Sequence, residues 1–128
     1  MQVGDTIGSY RILRTLGEGG MGAVFEAVHS EICHHAAIKV LHPWHCRDPQ
    51  LVARFLNEAR AVNLVKHPGL VSVHEFGRCL DGTAFIVMEF IEGESLRVRM
   101  ARPGLGRGPL VHIVRQIASA LAAAHSRQ

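Results

Sequence analysis

The sequence predicts an α+β fold: a five-stranded antiparallel sheet with one helix packed on it, followed by further helices. Three observations carry this expectation. Short runs rich in β-branched and aromatic residues are separated by glycine or Asp-Gly turns. One long stretch of helical period, opened by Asp48-Pro49 and closed by Pro68, interrupts them after the third run. After the fifth run the pattern turns helical through residue 125. Strands joined by tight turns pair antiparallel, and a lone amphipathic helix buries its stripe against the sheet.

The first strand is expected over 10–16, "YRILRTL", which leads into "LGEGGMGAVFEA" with glycines at 17, 19, 20 and 22. Val24 and Phe25 favour a second strand over 23–29, and "HAAIKVL" a third over 35–41. A helix is expected over 48–67. Asp48 can accept first-turn amides, Pro49 suits the first helical position, and Pro68 forces the stop. Leu51, Phe55, Ala59 and Val62 make its apolar stripe. Strands over 70–77 and 84–90 flank "LDGT", where Asp-Gly supplies positive φ for a hairpin turn. A short helix within 92–101 is capped by Ser95, and a long one spans 109–125.

Composition bounds the function class. With 128 residues, 48% of them hydrophobic, the chain can bury a core and is not expected to be disordered. No apolar run approaches the roughly 20 residues of a membrane span, and no secretory signal opens the chain. The net charge of +3 and scattered arginines do not make a nucleic-acid surface. Three cysteines at unrelated spacings form no disulfide framework. A cytoplasmic chain is expected. "CHHAAIKVLHPWHC" gathers Cys33, His34, His35, His42, His45 and Cys46, but at no standard zinc spacing. His34 and His35 would also point to opposite faces of a strand.

The glycine loop invites three readings. A dinucleotide fold needs a helix directly after the third glycine, whereas Gly22 runs into Ala-Val-Phe-Glu-Ala-Val. A Walker-type loop needs Gly-Lys-Ser/Thr, which is absent. A glycine hairpin lying over phosphates remains, its glycines giving positive φ and close backbone approach. An ordinary glycine-rich hairpin tip is the competing account.

The charges nearby favour the phosphate reading. The chain has twelve arginines and only two lysines, Lys39 and Lys66, yet Lys39 stands inside an apolar strand. Glu58 falls inside the stripe of the 48–67 helix. A charge buried alone is strongly disfavoured, so the two are expected to pair across the sheet–helix interface, the competing account being Lys39 snorkelling to solvent at a strand edge and Glu58 on a helix flank. The ammonium would then be held under the glycine loop.

"LGEGGMGAVFEA", "AAIKVL", "FLNEARAV", "HPGLVSVHEFG" and "FIVMEFIEGESL", in that order, resemble the N-terminal lobe of a protein kinase of the bacterial Ser/Thr type. The resemblance covers roughly residues 8–126. It implies a kinase N-lobe over 1–91, a hinge at 89–92, and the start of a helical C-lobe over 93–128. Gly17, Gly19 and Gly22 would cover the phosphates of ATP, within a binding loop that includes Glu18, Gly20 and Met21. Leu16, Val24 and Ala37 would sandwich the adenine, and Lys39 would contact the α- and β-phosphates with Glu58 as its partner. Met88 would be the gatekeeper, while Glu89 and Ile91 would offer hinge backbone groups on either side of Phe90. One departure is Ala36, where the family usually has valine before Ala-Ile-Lys.

The activity implied is phosphoryl transfer from MgATP to a protein hydroxyl, with ATP and a protein substrate as partners. The catalytic Asp loop and the Mg²⁺-binding segment of the family would begin beyond Gln128. The 128 residues alone are therefore expected to be catalytically incompetent. A non-catalytic nucleotide-binding or interaction module is the alternative. Ile113, Ile117, Leu121 and Ala124 form a stripe on the last helix, expected to be sticky where uncovered.

Overall fold

A computed structural model describes residues 1–126. The elements run β1 (Thr6–Ile7), β2 (Tyr10–Glu18), β3 (Gly22–His29), β4 (His35–Leu41), α1 (Pro49–Leu64), β5 (Val73–Arg78), β6 (Ala84–Glu89), α2 (Leu96–Ala101) and α3 (Arg107–His125). The class is the expected one, but the sheet has six strands rather than five, in the order β1-β2-β3-β4-β6-β5. The extra strand is the two-residue β1, paired Thr6 to Arg11 and Ile7 to Tyr10. Gly4 and Gly8 on either side adopt positive φ, which turns the N-terminus back on β2. Its Ile7 is 1% exposed, so so short a strand is held by burial as well as pairing.

Period-two alternation divides β3 and β4 between two cores. Ala23, Phe25, Ala27, Ala36, Ile38 and Val40 point to one side, where Ile7, Ile12 and Val87 join them. Leu41, Ala84 and Ile86 point to the other and meet Val52, Phe55 and Ala59 of α1. Lys39 and Ala37 share the α1 side.

Helix α1 is shorter than expected, ending at Leu64 rather than 67, with Val65 as its C-cap in extended backbone. Its start follows the sequence: Asp48 accepts the Gln50 amide at 2.9 Å, and Pro49 is the first helical residue. The buried stripe is Val52, Phe55 and Ala59, and Leu51 and Val62 are half-buried at its flanks. β5 starts at Val73, three residues later than expected; the Ser72 carbonyl still accepts the Glu89 amide, but the Ser72 amide goes to the Glu89 carboxylate at 3.2 Å. α2 begins at Leu96, with Ser95 accepting the Val98 amide, and α3 begins two residues early at Arg107. Arg127 and Gln128, the end of the expected C-terminal segment, lie outside the described residues.

The "LDGT" hairpin has positive φ at Gly82 alone. Gly82 donates to the Cys79 carbonyl at 2.9 Å and Cys79 donates to Thr83 at 2.8 Å, while the Asp81 carboxylate accepts the Thr83 amide at 2.9 Å. α3 touches the rest of the chain mainly near Ala120, its one buried residue among those described. There His67 Nε2 lies 2.9 Å from Ser119 Oγ, and its Nδ1 accepts the Gly69 amide.

Candidate functional site

The strand register builds the site. Val24 pairs with Lys39 and Lys39 with Ile86, and one row over Glu26 pairs with Ala37 and Ala37 with Met88. Because paired residues point to the same face, Val24, Ala37, Lys39 and Met88 line one patch of the α1 side. Gly17 pairs with Val24, so the glycine hairpin between β2 and β3 adjoins that patch. Leu16 stands at the register shift just before it and is 40% exposed.

Lys39 Nζ lies 3.9 Å from Glu58 Oε2 and 5.8 Å from the centre of the buried Phe55 ring. The two charges meet, but they are not buried as the sequence suggested. Their side chains are 36% and 61% exposed. Glu58 sits three residues beyond Phe55, which places it on the rim of the α1 stripe, where no described element covers it. A pair this open contributes roughly 0–1 kcal/mol to stability. Its effect is to restrict where the ammonium sits.

The positive φ expected of the glycine loop is not found. None of Gly17, Gly19, Gly20 and Gly22 has positive φ. Gly22 is needed for space instead: a Cβ there would fall 2.1 Å from the Val40 carbonyl oxygen. At Gly17, Gly19 and Gly20 a Cβ would meet nothing within 4 Å. The hairpin closes through Gly19 donating to the Gly22 carbonyl at 2.9 Å. The amides of Gly20 and Met21 donate to no group among the described residues. Such bare N–H groups can donate to an anionic oxygen.

At the other end of the patch, Glu89 ends β6 opposite Ala36. Its amide donates to Ser72 O at 2.8 Å, and its carboxylate accepts the Ser72 amide at 3.2 Å. Ile91 is 60% exposed. Leu16, Phe90 and Ile91 line a depression of about 460 Å³ together with Arg14 and Glu26. A different depression, of about 510 Å³, opens on the opposite face over Phe25 and Val40. Lys39 and Glu58 line neither of the two.

Two features escaped the sequence reading. Glu26 is 8% exposed and takes a guanidinium fork from Arg14, at 3.3 and 3.4 Å. The alternation of β3 was its only sequence signal. His42 and His45 reach back to the glycine loop, where their Nε2 atoms lie 2.8 and 2.9 Å from the carbonyl oxygens of Gly19 and Gly20. These are two of the histidines whose clustering suggests zinc.

The glycine hairpin, the strand lysine and the helix glutamate agree with a comparison against known families: a model of the protein kinase domain matches residues 10–128. The chain belongs to the protein kinase family. The serine/threonine-protein kinase Pkn1 of Myxococcus xanthus is 42% identical over 98% of this chain and 18% of its own length. PknA of Mycobacterium tuberculosis is 38% identical over 98% of this chain and 30% of its own. The solved kinase domain of M. tuberculosis PknI superposes with a TM-score of 0.78 at 32% identity, over 99% of this chain and 51% of that one. The chain thus spans 18–30% of these curated relatives and about half of the solved kinase domain. Among the described residues no helix is long and apolar enough to cross a membrane.

Proposed function

We propose that these residues are the ATP-binding part of a Ser/Thr protein kinase. Residues 1–91 form the nucleotide lobe, 89–92 the hinge, and 93–128 the beginning of a helical lobe. The observation that carries the reading is Lys39, held beside Glu58 on a patch that the glycine hairpin adjoins. Leu16, Val24 and Ala37 take the adenine, with Met88 behind it and the backbone of Glu89 and Ile91 at its edge. The amides of the loop from Gly17 through Glu18, Gly19, Gly20, Met21 and Gly22 approach the phosphates, and Lys39 neutralises their inner charge. The complete reaction is transfer of the γ-phosphoryl group from MgATP to a protein hydroxyl.

ATP fits the residues present, since the loop-tip amides of Gly20 and Met21 are bare and the space around Gly19 and Gly20 is open. For Mg²⁺ the fit is lacking: among the described residues no three or more His, Cys, Asp or Glu side chains group to hold a metal ion. No catalytic step is assigned to a metal here. These residues position ATP, and phosphoryl transfer depends on charge neutralisation and a base as well. The isolated 128 residues therefore bind ATP weakly and do not turn it over.

Titration with ATP, on the unaltered chain and on Lys39→Met, tests both statements. Loss of a charge-assisted contact is expected to weaken binding about tenfold or more. Equal affinity in the two proteins would remove Lys39 from the site. ATP turnover by the chain, abolished by Lys39→Met, would overturn the proposed incompetence.

A further inference from the structure

The segment after β4 grips the glycine loop by its carbonyls. His42 Nε2 lies 2.8 Å from Gly19 O, and His45 Nε2 lies 2.9 Å from Gly20 O. The His42 backbone amide donates to Met21 O at 2.9 Å. Three successive loop carbonyls are therefore engaged by two residues, His42 and His45. A carbonyl only accepts, so each ring must carry its hydrogen on Nε2. Trp44 stacks on the His42 ring at 4.3 Å between centroids, which fixes that ring.

The grip has a directional consequence. Among the described residues no peptide bond is cis, and a trans peptide sets its N–H antiparallel to its C=O. The Gly19–Gly20 and Gly20–Met21 peptides present their carbonyls to the imidazoles. Their N–H groups, on Gly20 and Met21, therefore point away. His42 continues the alternation of β4 onto the face of Ile38 and Val40, opposite Lys39. It lines the same depression as Val40, Phe25 and Trp44. Away from the imidazoles is thus toward the Lys39 side, and these are the two amides with no partner. The loop tip cannot fix this orientation by packing, because Gly19 and Gly20 have no side chains and open space around them.

We propose that His42 and His45 are positioning residues that hold the glycine loop by its carbonyls and so aim the Gly20 and Met21 amides at phosphate oxygens above Lys39. This rests on the nucleotide reading. The donors are oriented before the ligand arrives, so less ordering accompanies binding.

The test compares the unaltered chain with His42→Ala/His45→Ala, His42→Gln/His45→Gln and Lys39→Met. Three readouts are needed: ¹⁵N order parameters of the Gly19–Gly22 amides, the ring ¹⁵N tautomer signature, and affinity for ATP. Both rings are expected as Nε2–H tautomers. The alanine pair is expected to lower the loop order parameters from the rigid range near 0.85 toward values below about 0.6. It should also weaken ATP binding about tenfold. The glutamine pair, whose amides also donate, should recover part of both. Lys39→Met should weaken ATP binding and leave the loop ordered. Unchanged order parameters in the alanine pair, or Nδ1–H tautomers, would overturn the grip. ATP binding lost in Lys39→Met yet unchanged in the alanine pair would overturn the inference alone. No ATP binding by the unaltered chain would overturn the nucleotide reading, and the phosphate role of the histidines with it.

Discussion

Gly22 and Gly17 look alike in the sequence and differ in what surrounds them. Alanine at 22 would drive its methyl into the Val40 carbonyl, a backbone atom that cannot swing aside. Gly22→Ala is expected to cost about 1–3 kcal/mol, the usual range for overpacking, whereas Gly17→Ala should change stability by less than about 0.5 kcal/mol. Urea denaturation of the two variants checks this, and equal midpoints would show that β3 can move away from β4. Asp81 carries a pH dependence of known sign. The Thr83 amide and hydroxyl donate to its carboxylate and hold its pKa below the usual carboxylate value. A lowered folded pKa means the contribution is complete above the unfolded pKa and fades as pH falls through the folded one. Asp81→Asn should therefore flatten the acid limb of stability at the hairpin, seen by NMR titration of Thr83. An unshifted acid limb would remove the interaction.

At the scale of elements, α1 is set by its ends and its stripe. Asp48→Ala removes the cap on Gln50 and should cost about 1 kcal/mol, while Phe55→Ala opens a hole between α1 and the sheet and should cost about 3–5 kcal/mol. Thermal denaturation should rank them in that order. A larger loss at Asp48 would mean that the cap, rather than the stripe, anchors the helix. Both effects are visible in the sequence, because Asp-Pro and a helical period are local signals. Its phase was harder to read. Leu51, Phe55, Ala59 and Val62 fit a helical stripe as well as Val52, Phe55 and Ala59 do, and only the sheet's shape chooses Val52. The same ambiguity put Glu58 inside the core in the sequence reading, although the ion pair it suggested does form at 3.9 Å. β1 was illegible because two residues have no period. The histidine grip was illegible because it joins residues more than 20 apart through side-chain reach.

For the whole molecule, the uneven distribution of contacts matters most. The six strands and α1 share two cores, while α3 meets the rest around Ala120 and leaves Val114, Ile117 and Leu121 about half exposed. A continuous apolar helix face of this kind favours association. The 128-residue chain is expected to self-associate in size-exclusion chromatography, and Ile117→Glu/Leu121→Glu to restore a monomer without lowering the unfolding midpoint. A salt-insensitive monomer of the unaltered chain would show that the face is tolerated in water. The class and the identity of the lysine–glutamate pair were readable from ordered motifs. The exposure of that pair was not, since it depends on what covers the rim of α1.

The strand order has a mechanical consequence. β5 occupies the sheet's edge and β6 lies between it and β4, so the polypeptide leaves the sheet from an interior position, at Glu89. That exit is clasped on one side by Ala36 and on the other by Ser72. Any torsion transmitted from the downstream helices is thus delivered to the middle of the ribbon stack. It acts on β4, three residues from the ammonium, as well as on the edge strand β5 that Ser72 leads into.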